Sequence, residues 1–304
     1  MSRLLLLFFL CAFAAFIPLE LSAADKPLVV TTIAPLESIL TKLAGDKMEI
    51  HRLLPAGASP HTYAPKPHDM LKVEKALALV YVSNSFDGWA ARFDVKKKYR
   101  VIEMLPEKLL LHLKSRHHHG HDTHKKRHDA EGKNKAGIDA HFWSDPMAVK
   151  AILPGLAVEL CKLDKDNCVT YKVNAEKFSE KLNTLDAELQ SKFKQYAGKK
   201  VLFAYPFFNY FLKRYKLEAL EILVKVPGKD PTPKEIKAVL KSIARHDLKS
   251  VFTLQQLSRR PAELLAESGK LKVVTMDPLG GVEGRRNYID LLRYNAELLL
   301  KGLK

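Results

Sequence analysis

The sequence predicts an α/β protein of two lobes, each built on a mainly parallel sheet, joined by one long rigid helix. Three features support this prediction. Short β-rich runs alternate with helical runs through the first half of the chain, the same alternation restarts after residue 198, and one long helical pattern separates the two halves. Such alternation is typical of parallel sheets that carry helices on both faces.

Strands and helices are assigned from the period of the apolar residues in each run. In the first half, strands are expected at 28–32, 48–54, 78–83 and 100–104, and helices at 36–44, 69–76 and 146–163. In the second half, strands are expected at 201–205, 219–223, 250–254 and 272–276, and helices at 233–245, 261–268 and 286–303. Two of these helices begin near a proline, where the missing N–H costs nothing.

The long central pattern predicts a helix over residues 167–197. Its apolar side chains recur at steps of three and four on one face: Tyr171, Ala175, Phe178, Leu182, Leu185, Leu189, Phe193 and Tyr196. At 1.5 Å per residue such a helix is roughly 40 Å long, enough to cross both lobes. We therefore predict a first lobe at 25–166 and a second lobe at 198–304. The alternative is a long surface helix within one domain.

The first 24 residues are typical of a secretory signal peptide. Arg3 supplies the positive start, residues 4–17 are apolar, and a small-residue cleavage site ends near Ala24. The apolar run is shorter than the roughly 20 residues that a membrane-spanning helix needs, which disfavours an anchor. Cys11 follows a leucine, where a lipoprotein signal has a small residue. These features predict a free protein exported to the periplasm.

The chain carries a formal net charge of +16. A balance of this kind can indicate nucleic-acid or anionic-lipid binding. Here the lysines are scattered over predicted helices and turns, and the dense basic stretch at 125–127 lies among histidines. We therefore expect no nucleic-acid partner.

Residues 112–137 form a His-rich tract with almost no apolar side chains. A segment of this composition cannot build a packed core, and we expect a loop. His-rich tracts are typical of metal handling. The alternative is an expression tag, but the tract is internal and irregular. The histidines expected to handle metal are His117, His118, His119, His121, His124 and His128.

Cys161 and Cys168 are the two cysteines that remain after removal of the signal segment. In an oxidising compartment two nearby cysteines favour a structural disulfide that closes a small loop. A metal-binding pair is the alternative, although their spacing is wider than that of a CxxC motif.

Several metal-capable side chains follow predicted strands. His61 follows the second strand and His141 lies just before a helix, while Tyr205 and Asp277 end strands of the second half. Ligands of open parallel sheets bind outside the carboxyl ends of the strands. Two residues from each half would place a metal in the cleft between the lobes. Neutral imidazoles with a carboxylate suit zinc and similar divalent ions.

Five segments of the mature chain resemble one family of receptors. The chain is similar to the metal-binding receptors of ABC uptake systems, which include periplasmic zinc-binding proteins and manganese-binding lipoproteins. The segments that carry the resemblance are 60–65, 81–84 with 87–89, 141–146, 277–280 and 291–295.

The resemblance implies a metal site, a cargo and partners as well as a fold. It implies two α/β lobes joined by a backbone helix, a metal ion between them, and ligands at His61, His141 and Asp277. The implied cargo is Zn2+, with Mn2+ or iron as alternatives. The implied partners are the membrane permease of an ABC metal importer and its ATPase, and the receptor itself is expected to be a monomer.

The chain departs from this family at the third ligand position. Zinc-type members have histidine there and manganese-type members glutamate, and alignment on 210–211 places Tyr205 at this position. A free phenol has a pKa near 10. Tyr205 could bind with a pKa lowered by the metal, donate to a metal-bound water, or take no part. In the last case His68 or a histidine of the tract could supply the fourth ligand.

Two other classes of protein, a zinc hydrolase and a surface adhesin, are the alternatives to a receptor. A zinc hydrolase needs a general base near the metal, as in a His-Glu-x-x-His helix, and the sequence has no such motif. Gly-x-Ser-x-Gly and Gly-rich phosphate loops are also absent from it. A metal-dependent surface adhesin is the remaining alternative. We therefore predict that the chain is not an enzyme but an exported receptor for a divalent metal.

Overall fold

The computed structural model describes residues 26–113, 137–220 and 231–304. The first lobe contains a four-stranded sheet in the order β2-β1-β3-β4, and every neighbouring pair is parallel. Its strands are β1 (Leu28–Thr31), β2 (Glu49–Arg52), β3 (Ala78–Tyr81) and β4 (Lys98–Arg100). The predicted signal segment and the histidines of the tract at 117–128 lie outside the described residues.

The second lobe repeats this arrangement. A four-stranded parallel sheet has the order β6-β5-β7-β8. Its strands are β5 (Lys200–Phe203), β6 (Glu218–Ala219), β7 (Ser250–Leu254) and β8 (Lys272–Met276). The two-lobed α/β prediction is therefore confirmed. Most of the strand expected at 219–223 lies outside the described residues.

Helices cover both sheets. They are α1 (Ala34–Ala44), α2 (Pro67–Lys75), α3 (Pro146–Leu163), α4 (Cys168–Phe193), α5 (Asn209–Arg214), α6 (Pro233–His246), α7 (Arg260–Gly269) and α8 (Tyr288–Leu303). The short helix α5 was not predicted, because six residues are too few to establish a helical period.

The strand predicted at 100–104 is wrong. The extended strand β4 ends at Arg100, and Val101–Met104 form a 3-10 helix. Val101 and Ile102 are both buried, and Ile102 N donates to Val82 O at 3.1 Å. A short buried apolar run has the same pattern in a strand and in a helical turn, so the sequence could not separate them.

The connecting helix α4 contacts both lobes. It is 26 residues long, and the predicted apolar face from Tyr171 to Phe193 is buried. Toward the first lobe, Asn174 Nδ2 donates to Leu43 O at 3.0 Å. Toward the second lobe, Glu188 accepts from Arg293 of α8 at 2.8 Å. The prediction of one long joining helix is confirmed, although Tyr196 lies in a 3-10 turn beyond its end.

A polar cluster ties α4 to α5. The nearly buried carboxylate of Asp186 accepts from Arg214 Nε at 2.8 Å, from the Tyr215 hydroxyl at 3.1 Å and from Gln190 Nε2 at 2.7 Å. A buried carboxylate is stable only when its lone pairs are satisfied in this way. The cluster therefore fixes α5, whose first residues reach the pocket described below.

Cys161 and Cys168 are joined in a disulfide. The bond links the last turn of α3 to the first residue of α4, so it holds together the corner where the connecting helix begins. Of the two alternatives for this cysteine pair, the structure has the disulfide. None of the helices within the described ranges is long and apolar enough to cross a membrane.

The double variant Cys161→Ser, Cys168→Ser is expected to lower the free energy of unfolding by about 2–3 kcal/mol, the loop-closure value for a short ring. Urea denaturation of the oxidised wild type and of the variant measures the difference. Cys161 lies roughly 20 Å along α3 from the end that faces the pocket, so metal affinity should not change. Equal stabilities would show that the disulfide constrains little in the unfolded chain.

Candidate metal centre between the lobes

A small pocket lies between the two lobes. Its volume is about 30 Å³, which is room for an ion with one or two waters. The first lobe contributes His61, Phe86, His141 and Trp143, and the second contributes Phe207, Gln256, Leu257 and Leu279. Most of the wall is therefore apolar, and two imidazoles provide the principal polar surface.

His61 and His141 face each other across this pocket. Their ring centroids are 6.4 Å apart, and both rings pack edge-on against Phe86, at 5.0 and 5.3 Å. Two imidazoles that share one tetrahedral zinc, with Zn–N bonds of roughly 2.0–2.1 Å, have centroids about 5 Å apart. The two rings would therefore have to approach each other by roughly 1 Å to share one ion.

A buried carboxylate sets the orientation of His141. Asp139 Oδ1 lies 2.7 Å from His141 Nδ1, and the same oxygen accepts from the His141 backbone N–H at 3.0 Å. Burial would raise the pKa of Asp139, but the charge of His141 and the hydrogen bonds from His141 and Asn209 lower it on balance. When His141 is neutral, this carboxylate favours the tautomer with the proton on Nδ1, which leaves the lone pair of Nε2 available for a metal.

The second lobe supports the same carboxylate. Asn209 Nδ2 donates to Asp139 Oδ2 at 2.9 Å, and the Tyr210 hydroxyl donates to Asp139 O at 2.9 Å. Both residues belong to α5. A predicted ligand of the first lobe is therefore positioned in part by side chains of the second lobe.

The pKa of His61 lies below its usual range. The surrounding protein lowers its pKa from 6.5 to about 4, chiefly by desolvation and secondarily through the charge of His141. A neutral imidazole can bind a metal without first losing a proton. As pH falls from 6.5 toward 4, the unfolded chain gains a proton at this residue before the folded chain does, so the metal-free fold loses stability in that window.

The other two predicted ligands have protein partners and are not among the residues that line the pocket. The Tyr205 hydroxyl donates to Ser258 O at 2.8 Å, in the loop after β7. Asp277 is 1% exposed. Its Oδ2 accepts from Arg285 Nε at 2.8 Å and its Oδ1 from Gly280 N at 2.9 Å.

Gln256 lines the pocket and was not predicted as a functional residue. Its Nε2 donates to Asp277 Oδ1 at 2.8 Å, so it lies between the pocket and that carboxylate. The residue follows β7 at the carboxyl edge of the second sheet, which is where ligands bind in open parallel sheets. This placement is a usable signal, but a glutamine amide is not a typical metal ligand, so the residue type gives no indication of a site.

Among the described residues, no three His, Cys, Asp or Glu side chains are close enough to hold one metal ion. His68, the candidate fourth ligand, lies in the first turn of α2, is exposed, and contacts Asp69 at 3.2 Å. His112 pairs with Ile138 in an antiparallel bridge at the base of the His-rich tract. The structure thus brings together His61 and His141 but not the full predicted set.

A two-lobed α/β protein with a rigid connecting helix and an ion-sized pocket between its lobes has the architecture of a binding protein. The chain belongs to the family described as zinc-uptake complex component A, periplasmic, which it matches over residues 29–302. This assignment confirms the predicted resemblance, and with it the prediction of a binding protein and not an enzyme.

Individual relatives are identical to this chain at about a quarter of the aligned positions and are named for different metals. The chain is 26% identical over 294 residues to the zinc-binding protein AdcA of Streptococcus pyogenes, covering 92% of this chain but only 56% of that relative. It is 27% identical over 297 residues to the manganese ABC transporter substrate-binding lipoprotein PsaA of Streptococcus pneumoniae, covering 93% of this chain and 90% of that one.

A solved structure shares the fold. The laminin-binding protein Lmb of Streptococcus agalactiae, described as a bifunctional protein with adhesin and metal-transporting activity, superposes with a TM-score of 0.77. The identity is 24%, and the match covers 92% of this chain and 100% of that one.

The His61 ring in the metal-free protein is expected to titrate near pH 4 instead of near 6.5. Histidine ring NMR signals followed between pH 3 and 8 measure this midpoint directly. His141→Ala removes only the smaller cause of the shift, so its His61 midpoint should rise part of the way. A wild-type midpoint close to 6.5 would show that water reaches the ring freely.

Proposed function

We propose that this protein is a periplasmic receptor that captures Zn2+ in the pocket between its lobes and delivers it to the permease of an ABC importer, which works with an ATPase. The observation that carries the proposal is the pair of facing imidazoles, His61 and His141, whose ring centroids are 6.4 Å apart. The hydrogen bond from His141 to Asp139 supports it, because ligand histidines are commonly oriented by a carboxylate.

Zinc is favoured over manganese by the chemistry of the pocket. Imidazole nitrogen suits zinc, whereas manganese prefers oxygen ligands and higher coordination numbers. The carboxylate of Asp277 is engaged by Arg285, Gln256 and backbone amides. The apolar wall also leaves little room for the extra waters that manganese would keep.

Ferric iron is disfavoured by the state of Tyr205. A ferric site would use the phenolate, but this hydroxyl donates a hydrogen bond to Ser258 O at 2.8 Å and so carries its proton. We therefore place Tyr205 beside the site as a structural residue of the loop after β7. Its substitution for histidine leaves the second lobe without an imidazole at that position.

The proposed export and the proposed monomeric state of the protein rest on its sequence and on its family. The signal-like segment ending near Ala24 would release a free protein to the periplasm, and we propose that it acts as a monomer. An adhesin role, as described for the similar Lmb protein, would be a second activity of the same fold. The pocket favours metal capture as the primary one.

His61→Ala and His141→Ala are each expected to lower zinc affinity at least 100-fold, because each removes a proposed direct ligand. The protein is purified without a His-affinity step and freed of metal. Its competition with a zinc chelator then measures this loss. His68→Ala is the matched control, since that exposed histidine lies outside the proposed ligand pair. If all three variants bound zinc like the wild type, the pocket would not be the cargo site.

Replacing 115–135 with a two-residue turn is expected to remove weak zinc binding and leave the tight event within threefold of the wild type. The ends of the tract are already paired, since Leu113 N donates to Gly137 O at 2.5 Å and Asp139 N to Leu111 O at 2.8 Å. Isothermal titration should therefore show two classes of event in the wild type and one in the deletion. Loss of the tight event would assign tract histidines to the primary site.

A further inference from the structure

We propose that Gln256 supplies the cargo ligand of the second lobe through its amide oxygen Oε1, and that Asp277 acts behind it by orienting the amide. This inference rests on the proposed function, because it names the donor that completes the same site. It assigns to Asp277 a positioning role in place of direct coordination.

The carboxylate of Asp277 has little capacity left for a metal. Its Oδ1 accepts from Gln256 Nε2 at 2.8 Å, Gly280 N at 2.9 Å and Leu279 N at 3.2 Å, and its Oδ2 accepts from Arg285 Nε at 2.8 Å. Each carboxylate oxygen offers about two acceptor positions, so Oδ1 is saturated, and the position left on Oδ2 lies beside the Arg285 guanidinium. Direct coordination would first have to displace this cation.

Arg285 is itself held in place. Its guanidinium lies 4.3 Å from the centroid of the Tyr294 ring, in a cation–π contact, while Nε bonds to Asp277. The side chain of Asp277 is 1% exposed and that of Arg285 is 20% exposed. Besides the ion pair itself, the cation–π contact with Tyr294 therefore opposes the withdrawal of Arg285 from the carboxylate.

The contact with Asp277 also fixes which way the Gln256 amide points. Oδ1 of Asp277 already accepts from two backbone N–H groups, so it can only accept from Gln256 as well. The nitrogen of the amide must therefore face Asp277, and the oxygen must face away from it. The same logic applies when a carboxylate orients a ligand histidine, as Asp139 does for His141.

Two unpaired oxygen atoms lie at this pocket. Gln256 Oε1 and Ser59 Oγ are buried and have no hydrogen-bond partner within the described ranges, and both residues line the pocket with His61 and His141. Buried polar atoms are nearly always satisfied in folded proteins, so an exception needs an explanation. A cation bound by Oε1, with one water on it hydrogen-bonded to Ser59, would satisfy both.

The resulting ligand set is two neutral imidazoles and one neutral amide oxygen. The negative charge of Asp277 is balanced by Arg285 and does not reach the ion directly. Amide oxygen is a weaker donor than carboxylate, and a His2Glu set is an established zinc arrangement. A glutamate at position 256 would nevertheless set a second acceptor against Asp277 Oδ1 in place of the Nε2 donor. An apolar side chain of similar size is therefore the substitution that tests the proposal, and it should weaken zinc binding.

The test compares zinc affinity, by chelator competition with zinc chloride, in Gln256→Leu and the wild type. Gln256→Leu should lose at least fivefold in affinity. Gln255→Leu is the matched control, because the neighbouring glutamine is exposed and should bind like the wild type. Thermal unfolding of the metal-free variants checks that each one folds.

A crystal structure of the zinc-loaded wild type decides the ligand. Oε1 of Gln256 within roughly 2.3 Å of zinc, with Arg285 still on Asp277, supports the proposal. An Asp277 oxygen on zinc, or a loss below fivefold in Gln256→Leu, overturns it. If Gln256→Leu is unaffected while His61→Ala and His141→Ala lose affinity, only this inference fails. If the histidine variants also bind normally, the proposed function fails with it.

Discussion

The carboxylate of Asp139 receives hydrogen bonds from both lobes, and the geometry of the pocket depends on it. One oxygen lies 2.7 Å from the ring of His141, and the other accepts from Asn209 of the second lobe. A buried carboxylate is tolerated only when such donors surround it. The hydrogen bonds that stabilise this buried charge therefore also orient the imidazole and connect the two lobes.

The support for this carboxylate extends to the connecting helix. Asn209 and Tyr210 belong to the short helix α5, and the far end of α5 is held by Arg214 on the buried Asp186 of α4. A continuous set of polar contacts thus runs from the middle of the longest helix to His141. Short helices have little stability of their own, so α5 depends on these contacts to place its side chains.

Much of the fold was predictable, and less of the site. The helix at 146–163 and the strands at 250–254 and 272–276 were predicted with their observed bounds, because their apolar periods are long or their edges are sharply polar. The positions of His61 after a strand and of His141 before a helix led to the prediction that both face the cleft, and both line the pocket between the lobes. The part played by Gln256 was not predictable, since it depends on a hydrogen bond between two loops that only the folded chain brings together.

The connecting helix has a consequence for the lifetime of the bound ion. A 26-residue helix that is buried against both lobes resists bending, because bending would break its own backbone hydrogen bonds and expose its apolar face. Wide hinge opening is then a costly exit route. For the proposed cargo, dissociation would then depend on the breaking of individual ligand bonds within a nearly constant frame. Its residence time would be set by coordination chemistry and by any partner that separates the lobes.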